Sequence, residues 1–581
     1  MTDELSTSTA VAEHEAGRLD KAESIYRARL SQHPEDLATI IGLADVLTDA
    51  GQFADAEELY RRAIALDGES PAAAGAYDGL AAIRQDLGDL ENAIPASKMA
   101  AQLRGSADDS FGVGNTLEYL GRNVDAIDMF VLATEQRAGF SQAHIKAAQH
   151  LLAVERCSEA IPHYLAAIDA HPEMAELHCN LANAYRRVGK LNEALDSCRR
   201  AIELKPKLAE SHVIMGAIWK DRRRPSDALE SLRRALAINP NLADPTNIMA
   251  VLVEQAGQIE QAASLYARAV ELQPDSAQFH ENLGISLLLR GQFARGWQEY
   301  DWRRLKPSNP GSRPFPQPAW DGSPLDGKTI MLFAEQGFGD TIQFLRYAKI
   351  VADRGARVLL ECQAPLVSVA RQVSGIAEVI PQGEIWPECD AQLALMSVPM
   401  VLGTDLHSIP NKVPYISADP QLTAAWRDSL KGLSGKRIGV AWEGSATHKN
   451  DKNRSMSARR LAPLAEVPGI SLISLQKLGR SAPPENLKML DRTVELMDFS
   501  DTAALIANLD LVVTVDTAVA HLAGAMGKPV WVLLPSVPDW RWLLGRDDSP
   551  WYPTARLFRQ EIPGDWAGVM RRVCEELGRS N

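Results

Sequence analysis

Three short stretches combine side chains able to do chemistry with the small residues that expose them. In AEQGFGDTIQFLRYA, residues 334–348, an apolar run leads to Gly337 and Gly339, and Asp340 follows where a helix begins. A carboxylate there either caps the helix or, held at a cleft by a tight glycine turn, acts as a general base. Gly337 and Gly339 fill two positions of a dinucleotide fingerprint, and Glu361 supplies its acid about twenty residues on, but Ile342 stands where the third glycine belongs. A dehydrogenase is therefore disfavoured. In GVAWEGSATHKNDKNRS, residues 439–455, Ser445, Thr447, His448, Lys449, Lys452 and Arg454 crowd one loop after a strand. Hydroxyl donors and fixed cations suit a phosphate group, and a solvated basic loop is the plainer alternative. In LVVTVDTAVAHLAGAMGKPVWVLLP, residues 511–535, Asp516 and Thr517 end a strand, and His521 lies one helical turn beyond Thr517. His521 is either a satisfied core residue or a ligand-facing one.

The elements that position these groups read as short apolar strands alternating with amphipathic helices. KTIMLF, ARVLLEC, AEVI and AQLAL form one group of strands; KRIGVAW, SLISLQ, LVVTVD and PVWVLLP form a second. Helices are predicted over 341–354, 366–373, 458–467, 502–507, 518–526 and 566–577. The alternation predicts two parallel sheets covered by helices, two Rossmann-like halves facing across a cleft and separated around residues 403–421. Loops at strand carboxyl ends are where such sheets bind ligands.

The first half of the chain is different. Pro172, Pro206, Pro240 and Pro274 recur every 34 residues, with a turn glycine between helices at Gly17, Gly51, Gly88, Gly121, Gly189, Gly257 and Gly291. A small residue follows five positions after each turn, from Ala22 to Ala262 and then Gly296. An aromatic residue often comes four later, as at Tyr26, Tyr60, Phe130, Tyr164, Tyr266 and Tyr300. Each unit is helix, turn, helix, with small residues where two helices approach and aromatic residues as core. A proline-dense stretch, with Pro307, Pro310, Pro314, Pro316, Pro318 and Pro324, then forbids helix and reads as a linker or extended crossing strand.

A chain of 581 residues exceeds one core. Its formal net charge of −14 argues against nucleic acid and acidic membrane surfaces. The 6 cysteines are scattered without a CxxC pair, as free thiols of a reducing compartment are. With no basic, apolar leader and no long apolar run, a cytoplasmic location is expected.

The repeats resemble the tetratricopeptide repeat (TPR), most clearly in AELHCNLANAYRRVGKLNEALDSCRRAIELKP, with about nine units over residues 7–304, the first incomplete. Stacked pairs of this kind offer an extended recognition surface. The three chemistry-bearing stretches together resemble the heptosyltransferase-like branch of GT-B glycosyltransferases over about 327–575. The joined architecture is similar to bacterial TPR-glycosyltransferases, among them cytoplasmic flagellin glycosyltransferases. The expected organisation is a TPR solenoid (1–304), a Pro-rich linker (305–326), an acceptor-side Rossmann-like half (327–415) and a donor-side half (416–581).

That resemblance implies metal-independent O-glycosylation of Ser or Thr on flagellin or another protein. The donor is a nucleotide sugar, a CMP-linked nonulosonic acid by the nearest likeness, and no cofactor or metal is implied. Asp340 is the implied acceptor base, with His448 the other titratable group at the cleft mouth. Lys452, Asp516, Thr517 and His521 match the family's donor site, and Ser445, Arg454 and Gln476 are expected to line it with them. With acid and cations on opposite sides of the cleft, Asp340 would not cancel the phosphate site. The first half is short, so acceptor contacts are expected to be shared with the repeats. The asparagine ladder of O-GlcNAc transferases survives only at Asn180 and Asn282, since Gly42, Lys146, Ile214 and Ile248 hold the other positions. Two alternatives stay open: a transferase using a UDP- or ADP-sugar, of the O-GlcNAc or heptosyl type, and a TPR scaffold with an inactive transferase half.

Overall fold

The computed structural model describes residues 6–306, 309, 314–448, 450–477 and 479–579; Pro307, Pro310 and Lys449 lie outside the described residues. Among them, helices from Thr7–Glu15 to Phe293–Asp301 form nine consecutive pairs. Two compact units divide the chain, Met1–Pro240 and Asn241–Asn581, so seven pairs belong to the first unit and two to the second.

Within the first unit the small-residue rule holds at full burial: Ala22, Ala56, Ala126, Ala160, Ala194 and Ala228 are all 0% exposed. Tyr26, Tyr60, Phe130 and Tyr164 are buried beside them. The interhelix turn uses the left-handed backbone, φ +80° at Gly189 for example. Where the repeat lacks its glycine, Glu155 (φ 64°) and Arg223 (φ 58°) take the same conformation. The repeat geometry overrides a residue preference of roughly 1–2 kcal/mol at each.

In the second unit ten strands among the described residues form two all-parallel sheets. The first contains β1 (Thr329–Phe333), β2 (Arg357–Cys362), β3 (Ile376–Pro381) and β4 (Ala391–Ala394), in the order β3-β2-β1-β4. The second contains β5 (Lys436–Ala441), β6 (Ile470–Ser474), β7 (Met489–Leu490), β8 (Leu511–Val515), β9 (Val530–Leu534) and β10 (Ala555–Arg559), in the order β10-β9-β8-β5-β6-β7. Leu332 pairs with Leu360, and Val440 with Val513. Each strand order reverses once, between β1 and β4 and between β5 and β8. The loops after β1, β5 and β8 therefore flank the points where parallel sheets open a crevice.

Three local expectations change. The helix predicted over 341–354 is two short helices, Phe338–Phe344 and Arg346–Ala352. Ala458–Glu466 winds as 3₁₀ turns, with Pro463 inside removing an N–H that an α-helix would use. Edge strands β7 and β10 are additional, and β10 carries Arg556 and Arg559, so it lacks the continuous apolar run of a central strand. The described part of the Pro-rich stretch is extended: Ala319 bridges Gln392 beside β4, and Trp320 N–H donates to Gln392 O at 2.9 Å.

The last repeat helix, Phe293–Asp301, shares one core with the sheets, in which Phe293, Trp297 and Tyr300 join Ile330, Leu332, Phe344 and Trp540. Trp297 donates its indole N–H to Thr404 O at 2.9 Å and meets Trp540 edge-on at 5.2 Å. The next turn buries Arg303, 1% exposed, against Glu335 just after β1, with Ser397 Oγ at 3.0 Å. A second arginine ties the halves of this unit together. Arg346 donates to Trp551 O at 2.7 Å, Pro410 O at 3.1 Å and Tyr415 Oη at 3.0 Å. No helix among the described residues is long and apolar enough to cross a membrane.

Candidate functional site

The loops after β1, β5, β8 and β9 meet in the second unit. Helices Phe338–Phe344 and Ala518–Ala525 approach so closely at their N-terminal ends that a Cβ on Gly339 would lie 2.8 Å from His521 Cδ2. This close approach, and not a dinucleotide, explains Gly339.

Asp340 begins the first of these helices and is engaged twice. Its Oδ2 accepts the Gly337 N–H at 2.9 Å, a capping bond, and its Oδ1 pairs with the Arg541 guanidinium from the loop after β9. Beside the expected cations Lys452 and Arg454 the structure adds a further one, because Arg541 reaches across and sits on the carboxylate. Arg541 also donates Nε–H to Gln343 Oε1 at 2.6 Å and Nη1–H to Asp539 Oδ1 at 2.8 Å, and lies 4.3 Å from the Trp540 ring centre.

Asp516 and Thr517 stand where β8 ends. Asp516 is 7% exposed; burial and then the neighbouring Asp539 raise its pKa, against the pull of Arg454 and Arg541. Burial would raise Asp539 too, but the adjoining Arg541 outweighs it and holds that carboxyl below its ordinary value. His521 Nε2 is 3.8 Å from Asp516 Oδ1, Nδ1 is 3.0 Å from Tyr552 Oη, and the ring stacks at 5.5 Å on Trp542. Burial, then Arg541, lowers its pKa to about 3, so the imidazole is neutral. Thr517 opens the helix, its hydroxyl 3.1 Å from Thr514 Oγ1.

The loop after β5 is held from inside. Buried Glu443 and Asp451 clamp Arg480, whose backbone N–H donates to Glu443 at 2.6 Å and whose Nη2 donates to Asp451 at 2.6 Å. Ser455 Oγ takes the Gly444 N–H at 2.9 Å and donates to Asp451 at 2.6 Å. Arg454 is packed on Gly444, with its Nε buried and without a hydrogen bond; the nearest acid, Asp451, is 3.8 Å away. Ser445, His448 and Lys452 are exposed on this loop. Neighbouring atoms desolvate the His448 ring and, with Arg454, lower its pKa, while Asp539 and Asp340 oppose them.

The structure thus gathers Asp340, Arg454, Asp516, Thr517 and His521, with His448 within range of their charges. Gln476 Oε1 accepts the N–H groups of Trp442 (3.0 Å) and Glu443 (2.8 Å), so this side chain braces the loop after β5. In the repeats, Asn180 is half-buried in the first unit. In the second, Asn282 donates to Asn247 Oδ1 at 2.9 Å; Asn247 lies one position before the register that pointed to Ile248. Asp539 and Arg541 were missed, although PDWRW follows a strand end and the strand-end rule reaches them.

The family models that match the chain fall on these same segments. Tetratricopeptide repeat models match residues 175–208, and 13–83 with 221–284. The model of glycosyltransferase family 9 (heptosyltransferase) matches residues 490–537, which carry Asp516, Thr517 and His521. Protein FlbA of Caulobacter vibrioides is 28% identical over 322 residues, 50% of this chain and 53% of that protein. The chain thus spans about half the length of the curated relative it matches. Among solved structures, a thermophilic TPR protein of Thermus thermophilus is 22% identical over 32% of this chain and 100% of its own, with TM-score 0.28. MamA of Desulfovibrio magneticus is 20% identical over 29% and 95%, with TM-score 0.25.

Proposed function

We propose that this protein is a GT-B-type glycosyltransferase that moves a sugar from a nucleotide donor to a Ser or Thr hydroxyl of a protein, with the TPR repeats recognising that protein. The observation that carries the reading is the position of Asp516, Thr517 and His521. They lie in the segment matched by the heptosyltransferase model and at a reversal of strand order, beside Arg454 and Arg541. Residues 416–581 serve the donor. Residues 327–415 and the repeats 1–304, including Asn180 and Asn282, serve the acceptor across the linker 305–326.

In the reaction the acceptor oxygen attacks the anomeric carbon while the bond from that carbon to the phosphate oxygen breaks. The electron pair leaves with the nucleotide, and the hydroxyl proton passes to Asp340. Arg454 and the N-terminal turn at Thr517 stabilise the departing phosphate, and Lys452 and Ser445 close over it. Neutral His521, held by Tyr552 and Trp542, shapes the pocket without adding charge. His448 is the other titratable group at the mouth. A base within hydrogen-bond reach contributes ~10²–10⁴ in rate.

Flagellin is the proposed acceptor and a CMP-linked nonulosonic acid the proposed donor. The test is incubation with CMP-, UDP- and ADP-linked sugars, with and without flagellin, read by intact mass. A mass increment on flagellin equal to one glycosyl residue supports the reading. No increment on any protein with any donor refutes it.

A further inference from the structure

Arg541 makes more of its surroundings than a phosphate-site cation needs to. Its side chain is only 8% exposed and spans the two halves of the second unit, bound to Asp340 and Gln343 on one side and to Asp539 on its own loop. Its backbone N–H also donates to Asp539 Oδ1 at 3.0 Å, and Trp540 lies against the guanidinium plane. Asp340, in turn, has both oxygens occupied, one by the helix cap and one by Arg541. Each oxygen keeps a second lone pair, but a guanidinium paired with Oδ1 competes with an acceptor hydroxyl for that oxygen. The Gly337 bond belongs to the backbone turn; the bond to Arg541 is the exchangeable one. Taking the nearly buried Arg541 guanidinium off its carboxylate is costly unless another anion replaces it. A phosphate group can, since it offers more charge and a matching fork of oxygens.

We propose that Arg541 exchanges partners, leaving Asp340 for the phosphate of the nucleotide donor, so that the acceptor base is released only when the donor is in place. This rests on the proposed reading of the cleft as a donor site. Asp539 and Trp540 are the pivot: they travel on the same loop and hold the guanidinium through the exchange. Asp340 turns to the incoming hydroxyl as Arg541 turns to phosphate.

The exchange makes a prediction that ordinary placement of a base does not. Asp340 competes with phosphate for Arg541, so Asp340→Asn tightens phosphate binding. The experiment is calorimetric titration of the full chain with inorganic pyrophosphate, CMP and UDP. The proteins are wild type, Asp340→Asn, Arg541→Gln and the double variant. We expect Asp340→Asn to bind on the order of 10-fold tighter, Arg541→Gln on the order of 10-fold weaker, and Asp340→Asn to change affinity less than about 2-fold in the Arg541→Gln background. If Arg541→Gln does not fold, Arg541→Lys takes its place, with the coupling to Asp340 largely lost because lysine cannot form the fork. Unchanged or weaker binding by Asp340→Asn overturns the exchange. Equal tightening in both backgrounds also overturns it, as that is general charge repulsion. A wild-type chain that binds none of the three probes overturns the donor-site reading, and this inference with it. Binding by wild type with a flat response to Asp340→Asn overturns the exchange alone.

Discussion

Removing Arg303 should both destabilise the second unit and loosen the loop that carries Asp340. The Arg303 side chain is 1% exposed and that of Glu335 is 0% exposed. The guanidinium donates to Glu335, to Ser397 Oγ at 3.0 Å, to Tyr300 O at 3.1 Å and to Asp301 Oδ1 at 3.2 Å. Glu335 Oε2 already lacks a hydrogen bond, so Arg303→Met leaves a buried carboxylate with no cation. Breaking a buried pair in this way costs about 3–5 kcal/mol. The reverse change, Glu335→Gln, leaves Arg303 with Asp301 and should cost less, about 1–3 kcal/mol. Removing both as Arg303→Met with Glu335→Leu restores an apolar contact, so the double variant should be more stable than Arg303→Met alone. Urea unfolding followed by tryptophan fluorescence reports on this unit, because every tryptophan except Trp219 lies beyond Pro240. A cost under ~1 kcal/mol for Arg303→Met, or a double variant no better than the single, would refute the reasoning.

Asp340→Asn can still accept the Gly337 N–H but gives up its charge pair with Arg541, which keeps Asp539, so the melting temperature should fall modestly while transfer falls at least ~10²-fold; a rate within a few-fold of wild type returns Asp340 to a purely structural role. Arg223→Gly relieves a left-handed residue in the first unit and should stabilise it by roughly 1 kcal/mol, measured by circular dichroism melting; a loss of stability contradicts this. The cost of His521→Asn should depend on pH. Folding lowers the His521 pKa from 6.5 to about 3, so its contribution is present above the unfolded value and is lost as pH falls towards the folded one. Raised Asp516 acts with the opposite sign, losing its contribution as pH rises through its folded value, but it is common to both proteins. The cost at pH 7 should exceed that at pH 5 by ~2 kcal/mol, and a pH-independent cost defeats the assignment.

The nine helix pairs were legible in the sequence because helical packing repeats locally: Ala194 and Tyr164 report a close approach within one unit, whatever lies far along the chain. Central strands such as LVVTVD were legible for a similar reason, since burial on both faces demands an unbroken apolar run. The loop residues Asp516, Thr517 and Arg454 could be placed at strand ends by topology alone. What no local pattern could supply is the partner of each charge. Asp340 reads equally well as cap or base until Arg541, 201 positions later, is seen to sit on it. Nor does the sequence show that the side-chain carbonyl of Gln476 lies under the N–H groups of Trp442 and Glu443. The join between the last repeats and the sheets followed the same rule: Trp297 and Arg303 fit the repeat register, yet their partners Thr404, Trp540 and Glu335 lie in the α/β part. Periodic burial is written in neighbouring residues, whereas the pairing of buried charges depends on which distant loops the folded sheets bring together.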